Sequence, residues 1–186
     1  MSPDVPTSSS PETRRLFLAL WPPRELSREL YELSGKSLHG RGRRVVPENI
    51  HLTLAFLGSV HESTRQCVEQ AASTVHAEAF TLVLEVMGCW PKAGILWVGP
   101  EQTPRPLSAL VQGLFAGLSG CGYQPEKRPY AAHLTLARKV RRWTENRRIG
   151  PFKWDVKQFC LVQSRTRAEG AHYEVIRTWE LSPPAA

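Results

Sequence analysis

The pentapeptide HLTLA occurs twice in the chain, at His51–Ala55 and at His133–Ala137. An exact repeat of this length arises by chance in about one protein in a hundred at ordinary residue frequencies. Apolar and polar residues alternate within it, which is typical of a half-buried strand. Side chains alternate between the two faces of a strand, so each copy places its leucines in a core and its histidine and threonine on the opposite face. The fold must therefore contain two similar strands, one in each half of the chain.

Strand-like and helix-like segments alternate along the rest of the sequence. Each half contributes helices and one HLTLA strand, as in a diverged internal duplication. We expect helices at Arg24–Leu38, at about Glu62–Ala79 and at Pro106–Gly120. We expect further strands at Arg15–Leu20, Phe80–Met87, Gly94–Gly99, Lys157–Val162 and Tyr173–Leu181.

The length of 186 residues is enough for one domain with a substantial core. We expect this domain to span residues 14–182, between Pro- and Ser-rich tails at residues 1–13 and 183–186. The chain has no apolar run of membrane-spanning length and no apolar signal segment at its start, so we expect a cytoplasmic, monomeric protein without a membrane partner. Its four cysteines lie far apart without a CxxC pair, which favours reduced thiols with a packing role.

A net charge of +7 makes an anionic partner such as RNA, DNA or a nucleotide plausible. Much of the positive charge lies in two patches next to the repeated strands. Either patch could be a solvated loop or could contact nucleic acid, and the sequence leaves this choice open. The patches consist of Arg41, Arg43 and Arg44, and of Lys139, Arg141, Arg142, Arg147 and Arg148.

Two strands side by side would bring two imidazoles and two hydroxyls to one cleft. Of two histidines with a pKa near neutrality, one can be neutral while the other is protonated, as concerted acid–base catalysis of phosphoryl transfer requires. Threonine hydroxyls can donate hydrogen bonds to the non-bridging phosphate oxygens. This chemistry needs neither a metal nor a cofactor. The catalytic candidates are thus His51 and His133, with Thr53 and Thr135 as phosphate-binding residues.

Other catalytic motifs are absent from the sequence. There is no GxSxG, and His61-Glu62 does not continue to HExxH, so a serine triad and a zinc hydrolase lack support. The remaining histidines stand in polar stretches, where we expect them to be surface residues; they are His39, His61, His76 and His172.

The two HxT motifs and their flanks resemble the two-histidine phosphoesterase superfamily, in particular its RNA 2′,3′-cyclic phosphodiesterases, also described as 2′–5′ RNA ligases. The resemblance runs through RLFLALWPP, VVPENIHLTLAFLG, ILWVGP, RPYAAHLTLAR and LVQSRTRAEGAHYEVIRTWEL. One departure is Ala132, where relatives often carry proline. The resemblance implies a bilobal α+β fold with a pseudo-two-fold axis, in which two antiparallel sheets flank a central cleft and the helices lie outside.

The resemblance also implies hydrolysis of a 2′,3′-cyclic phosphate at an RNA end to a 2′-phosphomonoester. His51 would be the proton donor and His133 the proton acceptor, an assignment that rests on the family because the residues themselves make the two histidines equivalent. Arg138 ends the second motif where relatives often have arginine, and it could pair with phosphate. Strict alternation, however, points its Cβ away from His133.

Several alternatives stay open at this point. The same cleft could act as a 2′–5′ RNA ligase or open the cyclic phosphate of a small nucleotide, and the fold could also serve as a non-catalytic RNA-binding module. Aromatic residues near the cleft could stack on a base, with Phe17, Phe56 and Tyr130 as candidates. For Phe17 and Phe56 we favour core packing.

Overall fold

This computed structural model describes residues 13–38, 42–143, 146–167 and 170–184. Nine strands, three α-helices and one 3₁₀ turn lie within these ranges. In chain order they are β1 (Arg14–Leu20), α1 (Arg24–Leu38), β2 (Arg43–Arg44), the 3₁₀ turn (Pro47–Asn49), β3 (Leu52–Val60), α2 (Glu62–Ser73), β4 (Phe80–Trp90), β5 (Ile95–Gly99), α3 (Arg105–Ser119), β6 (Leu134–Arg138), β7 (Arg147–Val156), β8 (Gln158–Arg167) and β9 (Gly170–Glu180).

The strands pair antiparallel in the order β7, β4, β5, β6, β3, β1, β8, β9, with the short β2 beside β6. The two HLTLA strands, β3 and β6, are neighbours at the centre of this order. They pair with each other through Leu52 and Leu134 alone. The expected antiparallel α+β fold is therefore confirmed, and its nine strands form one continuous sheet whose two halves join at the residue that follows each histidine.

Helices α1 and α3 connect the two halves, because each of them contacts a strand of the other half. Helix α1 follows β1 but contacts β6, and α3 follows β5 but contacts β3 and α2. The motif leucines under these helices are almost fully buried, with Leu52 and Leu134 at 0% exposure. A buried leucine contributes on the order of 2 kcal/mol to folding. The predicted apolar face of α3 is also buried, through Leu107, Leu110, Val111, Leu114 and Leu118.

Several elements differ from the sequence expectation; β2 was not predicted, and β8 continues to Arg167 rather than ending at Val162. Helix α2 ends at Ser73 rather than near Ala79, because the next residues pair with the end of the chain: Ala79 N–H donates to Ser182 O, and Ser182 N–H donates to Ala77 O. These long-range hydrogen bonds override the helix propensity of the alanines. Strand β7 was not predicted, since its sequence is largely exposed and polar and forms a strand only by pairing with β4.

The cysteine prediction was wrong for one pair. Cys67 on α2 and Cys121 just after α3 form a disulfide across 54 residues of sequence, with their Cα atoms 5.7 Å apart. The packing of α2 against α3 brings them together, and sequence spacing carries no sign of this contact. Cys89 and Cys160 are free and buried, as expected for packing residues.

Three of the four histidines expected at the surface, His61, His76 and His172, are exposed. His39, residues 1–12 of the first predicted tail and residues 185–186 of the second lie outside the described ranges, as does Arg41 of the first basic patch. None of the described helices is long and apolar enough to cross a membrane.

Candidate active site

The two motif histidines lie on either side of the junction between the two halves of the sheet. His51 and His133 directly precede β3 and β6, and the only pair between these strands is the following residue of each, Leu52 with Leu134. Because the two strands are antiparallel, His51 lies opposite the part of β6 that follows Leu134, and His133 lies opposite the part of β3 that follows Leu52. The structure therefore brings the two imidazoles together from positions 82 residues apart in the sequence.

Both motifs contain a β-bulge at the same position. In β3, Ala55 pairs with Leu18 and Thr53 with Ala19, which leaves Leu54 as an extra residue. In β6, Ala137 pairs with Leu96 and Thr135 with Trp97, which leaves Leu136 as the extra residue. The two copies of the repeat thus share a local backbone shape as well as a pattern of side chains.

The bulges change which face the later residues occupy. The extra leucine and the following alanine are both buried, with exposures of 2% for Leu54 and Ala55 and 0% for Leu136 and Ala137. The next residue is then exposed in both strands, and it is Phe56 in β3 and Arg138 in β6. Strict alternation of side chains predicted that Arg138 points away from His133. This prediction was wrong, because the extra residue of the bulge shifts the alternation by one position.

Each imidazole is held through its Nδ1 atom. His51 Nδ1 lies 2.8 Å from Asn49 O, and His133 Nδ1 lies 2.8 Å from Ala131 O. A carbonyl oxygen can only accept a hydrogen bond, so Nδ1 of each ring is the nitrogen that carries the proton and donates it. The Nε2 atom is consequently a proton acceptor in the neutral ring and a proton donor in the cation.

Three aromatic rings surround His51. The Trp21 ring stacks on the imidazole at a centroid distance of 5.2 Å and an interplanar angle of 4°, and Phe17 lies 4.8 Å away. Tyr173 of β9 meets the imidazole edge-on at 5.2 Å. Burial in this cluster lowers the pKa of His51 to about 4; the Asn49 hydrogen bond opposes the change, whereas the positive charges of Arg138 and His133 add to it.

His133 has a more open environment. Trp90 at the end of β4 meets its ring edge-on at 4.5 Å, and Trp97 lies 5.5 Å from Trp90. Burial lowers the pKa of His133, the hydrogen bond to Ala131 raises it, and the charge of Arg138 lowers it further. Arg138 thus acts on both histidines, which places its guanidinium within electrostatic range of each.

The other sequence candidates have distinct positions. Thr53 and Thr135 are half-buried, each two residues after its histidine. The Tyr130 hydroxyl donates to Thr53 O at 3.0 Å and burial raises the Tyr130 pKa, so its phenol ties the segment before His133 to β3. Phe17 is 3% exposed and packs as expected, but Phe56 is 48% exposed with the Arg15 guanidinium over its ring, so core packing was wrong for Phe56.

Sequence reasoning missed the aromatic residues that contact the histidines. The sequence analysis assigned no role to Trp21 or Trp90, and it placed Tyr173 only at the start of a strand. No local pattern links Tyr173 to His51, because the pairing of β1 with β3 and β8, and of β8 with β9, brings them together. In the part of the chain that the structure describes, no group of three or more histidine, cysteine or acidic side chains is arranged to hold a metal ion.

Comparison with known proteins agrees with this geometry. The family model of the 2′-5′ RNA ligase superfamily matches residues 22–168, and the chain belongs to this superfamily. An RNA 2′,3′-cyclic phosphodiesterase of Escherichia coli strain K12 is 31% identical over 178 residues, which are 92% of this chain and 98% of that relative. A protein of the same name from Thermus thermophilus is 30% identical over 182 residues, or 90% of each chain.

The fold comparison gives the same result. The crystal structure of E. coli LigT complexed with 3′-AMP has a TM-score of 0.84 to this chain at 30% identity, and the match covers 91% of this chain and 99% of LigT. The similarity therefore extends over both halves, including both motif strands.

Proposed function

We propose that this protein is an RNA 2′,3′-cyclic phosphodiesterase that hydrolyses the cyclic phosphate at an RNA 3′ end to a 2′-phosphomonoester. The observation that carries the proposal is the pair of imidazoles with identical Nδ1 anchors, each of which leaves Nε2 for proton transfer. The relatives of the same superfamily that bear this name support it.

In this mechanism His133 and His51 act on opposite sides of the phosphorus. Nε2 of His133 takes a proton from water, and the water oxygen forms the new bond to phosphorus. The bond from phosphorus to O3′ breaks, and Nε2 of His51 gives its proton to O3′. Acid–base catalysis by positioned groups of this kind contributes about 10² to 10⁴ in rate. Atoms and charges balance without a metal or a cofactor.

The phosphate charge would be stabilised by Thr53, Thr135 and Arg138. The hydroxyls can donate to the non-bridging oxygens, where negative charge increases as the water attacks. Arg138 supplies the positive charge, and the bulge in β6 returns it to the face of His133 and Thr135.

As the proton donor, His51 must be protonated in the complex with substrate. In the free protein its pKa of about 4 leaves the ring neutral at pH 7. A bound phosphodiester adds a negative charge next to both imidazoles and offsets the positive charge of Arg138, so substrate raises both pKa values. The Trp21 ring stacked on His51 favours the imidazolium further, through a cation–π interaction. Substrate binding and protonation of His51 therefore favour each other.

The test is the product formed from a nucleoside 2′,3′-cyclic phosphate, followed by ³¹P NMR or by chromatography against 2′- and 3′-phosphate standards. We expect the 2′-phosphate alone, at a rate that EDTA does not change. A 3′-phosphate product, or loss of activity in EDTA, would contradict the mechanism. Binding of RNA without turnover would instead indicate the non-catalytic RNA-binding module.

RNA ligation is a second candidate, because the matched superfamily is that of 2′-5′ RNA ligases. A 5′-hydroxyl would then replace water as the group that loses its proton to His133. Incubation of a 2′,3′-cyclic RNA end with a 5′-hydroxyl RNA, followed by gel electrophoresis and nuclease mapping of the linkage, measures this activity. If a small cyclic nucleotide is the preferred substrate, the same assays will show its turnover in the absence of RNA.

We also propose that residues 14–182 form one domain, that the protein is monomeric, and that it acts in the cytoplasm where RNA ends are processed. Limited proteolysis and light scattering after gel filtration test the first two points. Subcellular fractionation followed by immunoblotting tests the third point. Recovery of the protein outside the cytosolic fraction would contradict a cytoplasmic location.

A further inference from the structure

The two motif strands contact each other at a single point. β3 and β6 pair only through Leu52 and Leu134, and each histidine stands one residue before this pair, in the segment that leads into its strand. A single pair allows two strands to pivot about it, in contrast to a ladder of several pairs. The contacts of the two segments that precede β3 and β6 therefore help to set the separation of the two imidazoles.

The segment before His51 is held within its own half of the sheet. Asn49 O accepts the hydrogen bond of His51 Nδ1, and Asn49 Nδ2 donates to Ala171 O of β9 at 2.8 Å. Strand β9 lies on the same side of the junction as β3, since the strand order there is β3, β1, β8, β9. His51 is consequently fixed relative to its own half of the sheet.

The segment before His133 is tied to the opposite half. Tyr130 stands three residues before His133, and its hydroxyl donates to Thr53 O of β3 at 3.0 Å. Burial raises the pKa of Tyr130, so the phenol keeps its proton and remains a donor at neutral pH. The equivalent position before His51 holds the exposed Glu48. The hydrogen bond across the junction is therefore a feature of the second motif and not of the repeat.

The same segment also packs closely against its own half, at Gly99, the last residue of β5. A Cβ atom at Gly99 would lie 2.5 Å from Ala132 O and 3.6 Å from His133 Cα, so only glycine allows this approach. The residues between Tyr130 and His133 thus lie against β5 while the Tyr130 hydroxyl holds them to β3. This contact on both sides relates the position of His133 to the strand that follows His51.

We propose that Tyr130 is a positioning residue, whose hydroxyl fixes the separation of the His51 and His133 imidazoles by fastening the segment before His133 to Thr53 O. This inference rests on the proposed function, in which the two Nε2 atoms act on one phosphorus. Reactions of this kind depend on exact placement, and an error of about 1 Å can cost about 100-fold in rate. In this role Tyr130 acts through the backbone of both motifs and transfers no proton.

The test removes one hydroxyl from the protein. Tyr130→Phe keeps the ring and deletes only the donor to Thr53 O. The matched control is Tyr123→Phe, because Tyr123 is also half-buried but lies after α3, with its ring 5.5 Å from that of Phe115. Tyr130→Phe is also introduced into the His133→Ala variant, which lacks the group that Tyr130 is proposed to position. The substrate is a nucleoside 2′,3′-cyclic phosphate, and the ligand for binding measurements is the nucleoside 2′-phosphate.

We expect Tyr130→Phe to lower kcat by about 10- to 100-fold, because the proton transfers lose their alignment. The Kd of the 2′-phosphate should change by less than about twofold, since an interaction that matters only in the transition state affects kcat and not ground-state binding. In the His133→Ala background the same substitution should cost less than about twofold, because changes that act through one group are not additive. The melting temperature should fall by no more than about 4 °C, as for loss of one hydrogen bond.

Wild-type kcat in Tyr130→Phe would overturn the proposal. A loss of the same size in the His133→Ala background or in Tyr123→Phe would overturn it as well, because it would indicate a general effect on stability. If the wild-type protein turns over no cyclic phosphate, the proposed function fails, and ¹H–¹³C NMR of the histidine rings then tests the positioning role alone. We expect Tyr130→Phe to change the His133 ring signals and to leave those of the exposed His76 unchanged; unchanged His133 signals would contradict the role.

Discussion

The two HLTLA strands have the same sequence and the same backbone but different surroundings. Both contain a bulge at the second leucine, and both histidines donate Nδ1–H to the carbonyl two residues earlier. His51 then lies among Phe17, Trp21 and Tyr173, whereas His133 contacts Trp90. Identical local geometry with unequal surroundings gives one site two chemically different imidazoles, which is what an acid and a base require.

The residue after each pentapeptide makes a second difference. The equivalent position holds Phe56 in β3 and Arg138 in β6, and only the second carries a charge. The pseudo-symmetric cleft therefore has one cationic end, and that charge lowers the pKa of both histidines. The repeat supplies two copies of the reactive group, and the residues outside it distinguish them.

The largest expected effect comes from removal of either histidine. His51→Ala and His133→Ala should each lower kcat/KM on a 2′,3′-cyclic substrate by about 10² to 10⁴, because each removes one partner of the proton transfer. The exposed His76→Ala is the matched control and should keep full activity. Full activity in either motif variant would rule out the paired mechanism.

The threonines should behave alike if the two halves are equivalent in phosphate binding. Thr53→Val and Thr135→Val keep the side-chain shape and remove one hydroxyl donor, with an expected loss of about 10- to 1000-fold in kcat by analogy with one oxyanion donor. Steady-state kinetics of both variants measure the loss. A large effect at one threonine and none at the other would show that the phosphate lies closer to one strand.

Arg138→Gln tests the charge difference between the residues that follow the two pentapeptides. Loss of its charge should reduce kcat/KM by about 10-fold or more, because a charge-assisted hydrogen bond contributes about 1.5 kcal/mol or more. It should also raise the pKa of both histidines, because Arg138 lowers both, and so move both limbs of the pH profile to higher pH. Phe56→Leu at the equivalent position is the control, and a pH shift of the same size there would contradict this role of Arg138.

The smallest expected effect is the position of the wild-type pH optimum. The pKa of each histidine in the free protein lies below its ordinary value of 6.5, at about 4 for His51. Activity that needs one protonated and one neutral imidazole is highest between the two pKa values, so kcat/KM should be bell-shaped with its optimum below pH 6.5. The kcat profile reports the complex, where the substrate phosphate raises both pKa values, so its optimum should lie at higher pH. An optimum of kcat/KM above pH 7 would contradict the effect of burial on these rings.

Local sequence patterns predicted much of the fold. The helix at Arg24–Leu38 begins and ends where predicted, and α3 at Arg105–Ser119 differs by one residue at each end. These helices have complete apolar faces, so their local pattern and their tertiary contacts agree. Long-range pairing decided the end of α2 and the existence of β7, and neither of these has a local signal.

For the site, the sequence by itself determined the reactive groups: two histidines and two threonines on strands with buried leucines, a pattern that depends only on side-chain alternation. Tertiary structure decided which neighbours surround each copy. Strand pairing introduced the bulges that turn Arg138 toward the cleft, and it brought Tyr173 to His51 from 122 residues away. Helix packing joined Cys67 to Cys121. Burial and charge act through space, so the pKa values of two identical pentapeptides depend on neighbours that the linear sequence does not identify.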